Sequence, residues 1–180
     1  MSEFAKLVCD DGIEIIRILP ASIERVWAFL VDPELRQKWF CGGIMGEKAG
    51  EPFVMEFDNS RLSVSLPPEA KADACNASER MQGTLTHFEP PHKLAYSWPG
   101  ETKADDSHVS IELEDLGGET RLRLRHTRVA DLRNRTEAAA GWHAHFDVLC
   151  SVISGNTALD FWGSHNAARA EYKRLFDSDA

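Results

Sequence analysis

The 180-residue chain has no apolar run approaching the roughly 20 residues of a membrane span, so insertion into a bilayer is not expected. Its opening, MSEFAKLVCDDG, lacks the apolar core of a signal peptide, and a cytoplasmic location is the expectation. No basic block is present. Twenty Lys and Arg are scattered among 29 Asp and Glu, for a formal net charge of −9. Phosphate backbones are held by clustered cations, so nucleic acid is excluded as a partner. Cysteine is sparse: Cys9, Cys41, Cys75 and Cys150 show no C-x-x-C spacing. Four reduced thiols are expected, and no pair of Cys or His sits at the spacing of a zinc site. Also missing are G-x-S-x-G, H-E-x-x-H, the P-loop and the dinucleotide glycine fingerprint. No cofactor is therefore implied.

What is present is the make-up of a globular protein, 43% apolar and 27% charged, long enough for one sizeable core and free of internal repeats. Gly12 to Leu19 (GIEIIRIL) predicts a strand that Pro20-Ala21-Ser22 ends. Ser22 suits a helix N-cap, and Ile23, Val26, Trp27 and Leu30 follow at helical spacing. Asp32 with Pro33 and Glu34 starts a second short helix, whose apolar side would be Leu35, Trp39 and Phe40 and whose stop is Gly42-Gly43. After Gly50 the period changes to two. Phe53, Met55 and Phe57 alternate with Val54, Glu56 and Asp58, as in a half-buried strand. Asp58-Asn59-Ser60 reads as a turn and Arg61 to Leu66 as a short strand. Pro67 to Glu79 is small and polar, and is expected to be a mobile surface loop. Arg80 to Phe88 and Lys93 to Trp98 predict two further strands.

The sharpest local signal is a hairpin. His108 to Leu116 and Glu119 to Thr127 both alternate, and Gly117-Gly118 between them suits a two-residue turn. Centring the turn there sets Glu114 against Arg121 and Glu112 against Arg123. Leu113 then faces Leu122, Ile111 faces Leu124, and Val109 faces His126. A slip of one residue would set charge against apolar side chains. His126 is thus predicted on the inner face, with Arg121, Arg123 and Arg125 outside on a solvated surface.

Val129 to Ala140 reads as a polar connection, helical from about Asn134. From Gly141 to Ser154, Trp142, Phe146, Leu149 and Ile153 recur at helical spacing, with His145 and Val152 on the same face. His143, Asp147 and Ser151 fall opposite. Such a stripe suits either a plain core helix or the wall of a cavity. A second amphipathic helix follows over Asp160 to Phe176, started by Thr157 or Asp160. It either packs on the domain or forms a subunit contact, which leaves a homodimer open.

The order is strand, two short helices, a run of antiparallel strands, then a long helix. Four stretches, ILPASIERVWAFLVDPELRQKWF from Ile18, GTLTHFEPPHKLAYSW from Gly83, HVSIELEDLGGETRLRLRHT from His108 and GWHAHFDVLCSVIS from Gly141, together resemble the activator of Hsp90 ATPase homologue 1-like family. That family lies within the START-like, or Bet v 1-like, superfamily. The resemblance covers about residues 12–154. It implies an α+β helix-grip fold, a curved antiparallel sheet around a long C-terminal helix with a ligand-sized cavity between them. Residues 61–79 look inserted against compact relatives, 156–177 look like a helical extension, and Trp39-Phe40 stands where many relatives carry a Trp pair. Eukaryotic Hsp90 activators carry a further N-terminal domain, which is not expected here.

Within that fold the residues expected to line the cavity are Trp39, Phe40, Met55, Phe57, Trp98, His126, Trp142, His145, Phe146 and Leu149, with His87 as a further polar candidate. An apolar pocket with a few polar groups is a normal ligand site; the competing expectation is that these large side chains fill the space. Three functions follow. The first is binding of a small hydrophobic or aromatic molecule. The second is an enzyme of the cyclase or hydrolase kind, for which His126 and His145 are the one nominated acid–base pair. The third is a chaperone-linked interaction protein using the outer sheet face.

Overall fold

The structure is a computed structural model and describes residues 4–9, 11–63, 79–156 and 160–178. The polar stretch expected to be a mobile loop lies outside these residues, except for Glu79. Seven strands form one antiparallel sheet: β1 (Lys6–Val8), β2 (Gly12–Leu19), β3 (Pro52–Phe57), β4 (Glu79–Glu89), β5 (Lys93–Trp98), β6 (Ser107–Asp115) and β7 (Thr120–Thr127), in the spatial order β1-β2-β7-β6-β5-β4-β3. Helices α1 (Ile23–Val31) and α2 (Pro33–Arg36) carry the chain from β2 to the opposite edge. The long helix α3 (Leu132–Ile153) packs on the sheet, and α4 (Phe161–Ser178) packs on α3. This is the helix-grip architecture that the family resemblance implies.

The hairpin has the register set by its turn. Val109 pairs with His126, Ile111 with Leu124 and Glu112 with Arg123. Gly117 and Gly118 have φ of +80° and +107°, the left-handed backbone this turn requires. Ile111, Leu113, Leu122, Leu124 and His126 are buried on the inner face, while Glu114 and Glu112 meet arginines outside. β1 was not foreseen from the sequence. It adds an edge of three residues.

Three local expectations are corrected. Arg61 to Leu66 is not a strand where described. Asn59–Leu62 is a 3-10 turn, held by the Arg61–Asp58 ion pair and by burial of Leu62, and Ser63 makes only an isolated bridge to Asp160. Helix α3 starts earlier than expected because Asp131 caps it, its carboxylate accepting from the Asn134 N–H at 2.7 Å. The second short helix ends at Arg36, before Trp39-Phe40.

That early end is caused by Arg36 itself. Its side chain is almost wholly buried, and its guanidinium donates to three carbonyls: Val31 at 2.8 Å, Cys41 at 3.2 Å and Gly43 at 2.6 Å. It also lies 4.9 Å over the Phe53 ring. One side chain thus satisfies the loop backbone that carries Trp39 and Phe40, and presses that loop onto β3. Arg36→Met would take this donor from three carbonyls, one buried and two partly buried. Urea unfolding should show a loss of about 3 kcal/mol or more, and Arg36→Lys a smaller one, since an ammonium cannot span all three carbonyls. A loss under about 1 kcal/mol for Arg36→Met would show that the loop does not depend on it.

Candidate functional site

The site is built where four elements converge. The β6–β7 register puts His126 on the concave face, and Trp98, at the end of β5, pairs beside it with Ser107. The loop after α2 brings Phe40 inward. On α3, Trp142 and His145 stand one turn apart and both are buried. Between these walls and α4 lies a cleft of about 540 Å³.

Six of the ten expected residues border it: Phe40, Phe57, Trp98, His126, Trp142 and His145. Phe40 is the hub, stacked on Trp142 at 5.0 Å and edge-on to Phe57 at 5.1 Å and His145 at 5.0 Å. The other four, Trp39, Met55, Phe146 and Leu149, are core residues behind this wall. Trp39 stacks between Phe40 and Phe146 and donates its indole N–H to the Phe29 carbonyl. His87 is on the other side of the sheet. A bulge between Leu85 and His87 turns both Thr86 and His87 outward, where His87 pairs with Glu89 and Thr86 meets His108.

The remaining wall comes from residues that sequence reasoning did not nominate: Phe161, Trp162 and His165 on α4. Asp160 starts this helix by accepting from the Gly163 N–H, and Ser63 holds its first turn through the Asp160 carboxylate and the Trp162 N–H. Phe161 then sits 4.6 Å from the His145 ring. The signal was the helical spacing of Phe161 and His165, which shows a buried face without showing what it meets. The same contact explains His143. It falls opposite Trp142 on α3 but is buried under α4, its Nδ1 2.9 Å from the Tyr172 hydroxyl.

The two site histidines have opposite tautomers. Trp142 Nε1–H can only donate, so His126 Nδ1, 3.2 Å away, accepts, and its proton sits on Nε2 beside Ser107 Oγ at 2.8 Å. The Trp39 carbonyl can only accept, so His145 Nδ1, 2.7 Å away, carries the proton. His145 Nε2 is left as an acceptor. Burial pushes both rings from 6.5 down to about 4: the neighbouring His108 adds to this for His126, while the Trp39 bond opposes it for His145. Both are therefore neutral at pH 7. With both nitrogens of His126 engaged, His145 Nε2 is the open imidazole nitrogen of this pair.

Among the described residues no three His, Cys, Asp or Glu stand where they would hold a metal ion. Cys9, Cys41 and Cys150 are free thiols, and Cys75 lies outside the described residues. No described helix is long and apolar enough to cross a membrane.

Comparison with known proteins fits this geometry. Residues 20–154 match the family described as activator of Hsp90 ATPase homolog 1-like protein, and the chain belongs to that family. It is similar to the solution structure of the protein encoded by gene BPP1335 of Bordetella parapertussis, with 32% identity, a TM-score of 0.79, and coverage of 96% of this chain and 90% of that one. CalU16 from Micromonospora echinospora shares the fold at 21% identity and a TM-score of 0.68, over 97% of this chain and 95% of that one. DynU16, described as a protein in the dynemicin biosynthetic locus, shares it at 17% identity and a TM-score of 0.66, over 86% of this chain and 51% of that one. A search of the curated proteins gave no match.

The depressed imidazoles make stability depend on pH. The unfolded chain takes up these protons near pH 6.5 and the folded chain only near pH 4. Their contribution is whole above pH 6.5 and is lost as pH falls from 6.5 toward 4, at roughly 3 kcal/mol apiece. His145→Asn keeps an N–H for the Trp39 carbonyl and removes one titrating group. Its unfolding free energy should fall by roughly 2 kcal/mol less than that of the unsubstituted protein between pH 6.5 and 4.5. Equal slopes would mean that His145 is not buried as a neutral ring.

Proposed function

We propose that the protein binds a small hydrophobic or aromatic molecule in the cleft between the sheet, α3 and α4. The observation that supports this best is open space at a helix glycine. Gly141 borders the cleft from the middle of α3, and a Cβ built there meets no atom of the described residues within 4 Å. A glycine inside a helix costs about 1 kcal/mol relative to alanine. No contact among the described residues requires the glycine, and the space over it belongs to the cleft. The cleft's size is that of small-molecule pockets, and its walls combine aromatic rings with histidines, an asparagine and two carboxylates. The family fold is consistent with such a role.

In this reading Phe40, Phe57, Trp98, Trp142, Phe161 and Trp162 supply apolar walls, and His145 Nε2 accepts one hydrogen bond from the ligand. Trp39, Met55, Phe146 and Leu149 support the walls from behind. The buried face of α4 serves its own domain, with Phe161, Trp162, His165, Ala168, Tyr172 and Phe176 turned inward. α4 thus completes the pocket.

Gly141 offers the test. Gly141→Ala should keep the fold or stabilise it by up to about 1 kcal/mol. Gly141→Leu should stay folded yet fill the cleft, weakening a neutral solvatochromic naphthalene dye such as prodan by at least about tenfold in a fluorescence titration. Undiminished dye binding by folded Gly141→Leu protein would place the dye elsewhere and defeat the reading.

A further inference from the structure

The polar lining of the cleft is one-sided. Among the described residues it includes two carboxylates, Glu79 and Glu137, and no Lys or Arg. His145 Nε2 is an acceptor by its tautomer. Asn59 Oδ1 is a further acceptor, buried and without a hydrogen-bond partner among the described residues, although Asn59 borders the cleft. The side chains there that can donate are the Asn59 amide, the indoles of Trp98 and Trp162 and the ring of His165. Glu137 is shared: it also pairs with Arg169 at 2.5 Å, whose guanidinium lines the separate groove between α3 and α4. Glu79 opens β4 and is exposed.

An anionic ligand would meet carboxylates and ring faces, while the arginines beside the cleft, Arg61, Arg80 and Arg169, are each paired with a carboxylate already, and a neutral ligand would leave Glu79 without a partner from the ligand. A cation meets both favourably. Aromatic faces attract a cation through their quadrupoles, and their effect rises as water is excluded. The net charge of −9 favours approach of a cation as well. The open His145 Nε2 selects further, because it needs an N–H donor that a quaternary ammonium lacks.

Resting on the binding reading above, we infer that the ligand is a lipophilic amine: an apolar or aromatic body carrying a protonated primary or secondary amino group. The body fills the aromatic walls. The ammonium lies on the Glu79 side and donates to the acceptors there.

Three probes of one shape test the charge preference: 1-naphthylmethylamine, 1-naphthalenemethanol and 1-naphthoic acid, titrated into the full chain by calorimetry at pH 7. The amine should bind about tenfold tighter than the alcohol, and the acid most weakly. Glu79→Gln should weaken the amine several-fold and leave the alcohol unchanged, and Glu79→Lys should reverse the order of amine and acid. Higher salt should weaken the amine and spare the alcohol. Alcohol binding equal to or tighter than amine, or acid binding tightest, would overturn the charge preference while the cleft remains a hydrophobic site. Absence of binding by all three at millimolar concentration would overturn the binding reading itself.

Discussion

One buried hydrogen bond, donated by His145 Nδ1 to the Trp39 carbonyl, fixes both a loop and a tautomer. It ties the long helix to the loop after α2 at 2.7 Å, deep in the protein. The loop is held as well by the Trp39 indole bond to Phe29 and by the stacking of Trp39 between Phe40 and Phe146. It has no regular secondary structure of its own at Trp39-Phe40, and it is pinned from one side by Arg36 and from the other by His145. Both anchors satisfy backbone carbonyls that burial would otherwise leave unmatched. Phe40 is then fixed among Trp142, Phe57 and His145. The same bond sets the tautomer of His145 and so decides what the cleft offers a ligand.

His126 supplies a contrast. It is equally buried and equally reluctant to take a proton, yet Trp142 and Ser107 engage both of its nitrogens. It braces the indole of Trp142 across the cleft floor and has no lone pair left to offer. Two histidines of one residue type, both at a depressed pKa, thus take different parts because of what each faces. In the proposed binding mode the cleft offers a ligand one acceptor from this pair together with the carboxylates at its rim. The aromatic rings around them give apolar area without closing the space.

Much of the fold was legible in the sequence. Alternation, the glycine turn and the opposed Glu and Arg pairs fixed the β6–β7 register, which in turn placed His126. Helical spacing placed Trp142 and His145 on one face. Other features were hidden for physical reasons. A single Arg after Pro33-Glu34-Leu35 looks like a solvated helix end, and only the folded chain brings together the end of α1 and the loop whose three carbonyls draw Arg36 inside. The bulge at Thr86 reverses the phase of β4, so simple alternation misplaces His87. An amphipathic stripe on α4 announces burial but not its partner, and Phe161, Trp162 and His165 were missed for that reason. Trp39, Met55, Phe146 and Leu149 have the same apolar character as the wall residues, and depth behind the wall is set by tertiary packing alone.

The tautomeric state of His145 tests this account most directly. Long-range nitrogen–proton correlation spectra of uniformly ¹⁵N-labelled protein at pH 7 distinguish protonated from bare ring nitrogens. His145 should carry its proton on Nδ1 and show a bare Nε2, His126 should show the reverse, and neither should become an imidazolium until the pH nears 4. A His145 protonated on Nε2, or an imidazolium at pH 7, would break the link between the Trp39 loop, the helix and the acceptor that the cleft presents.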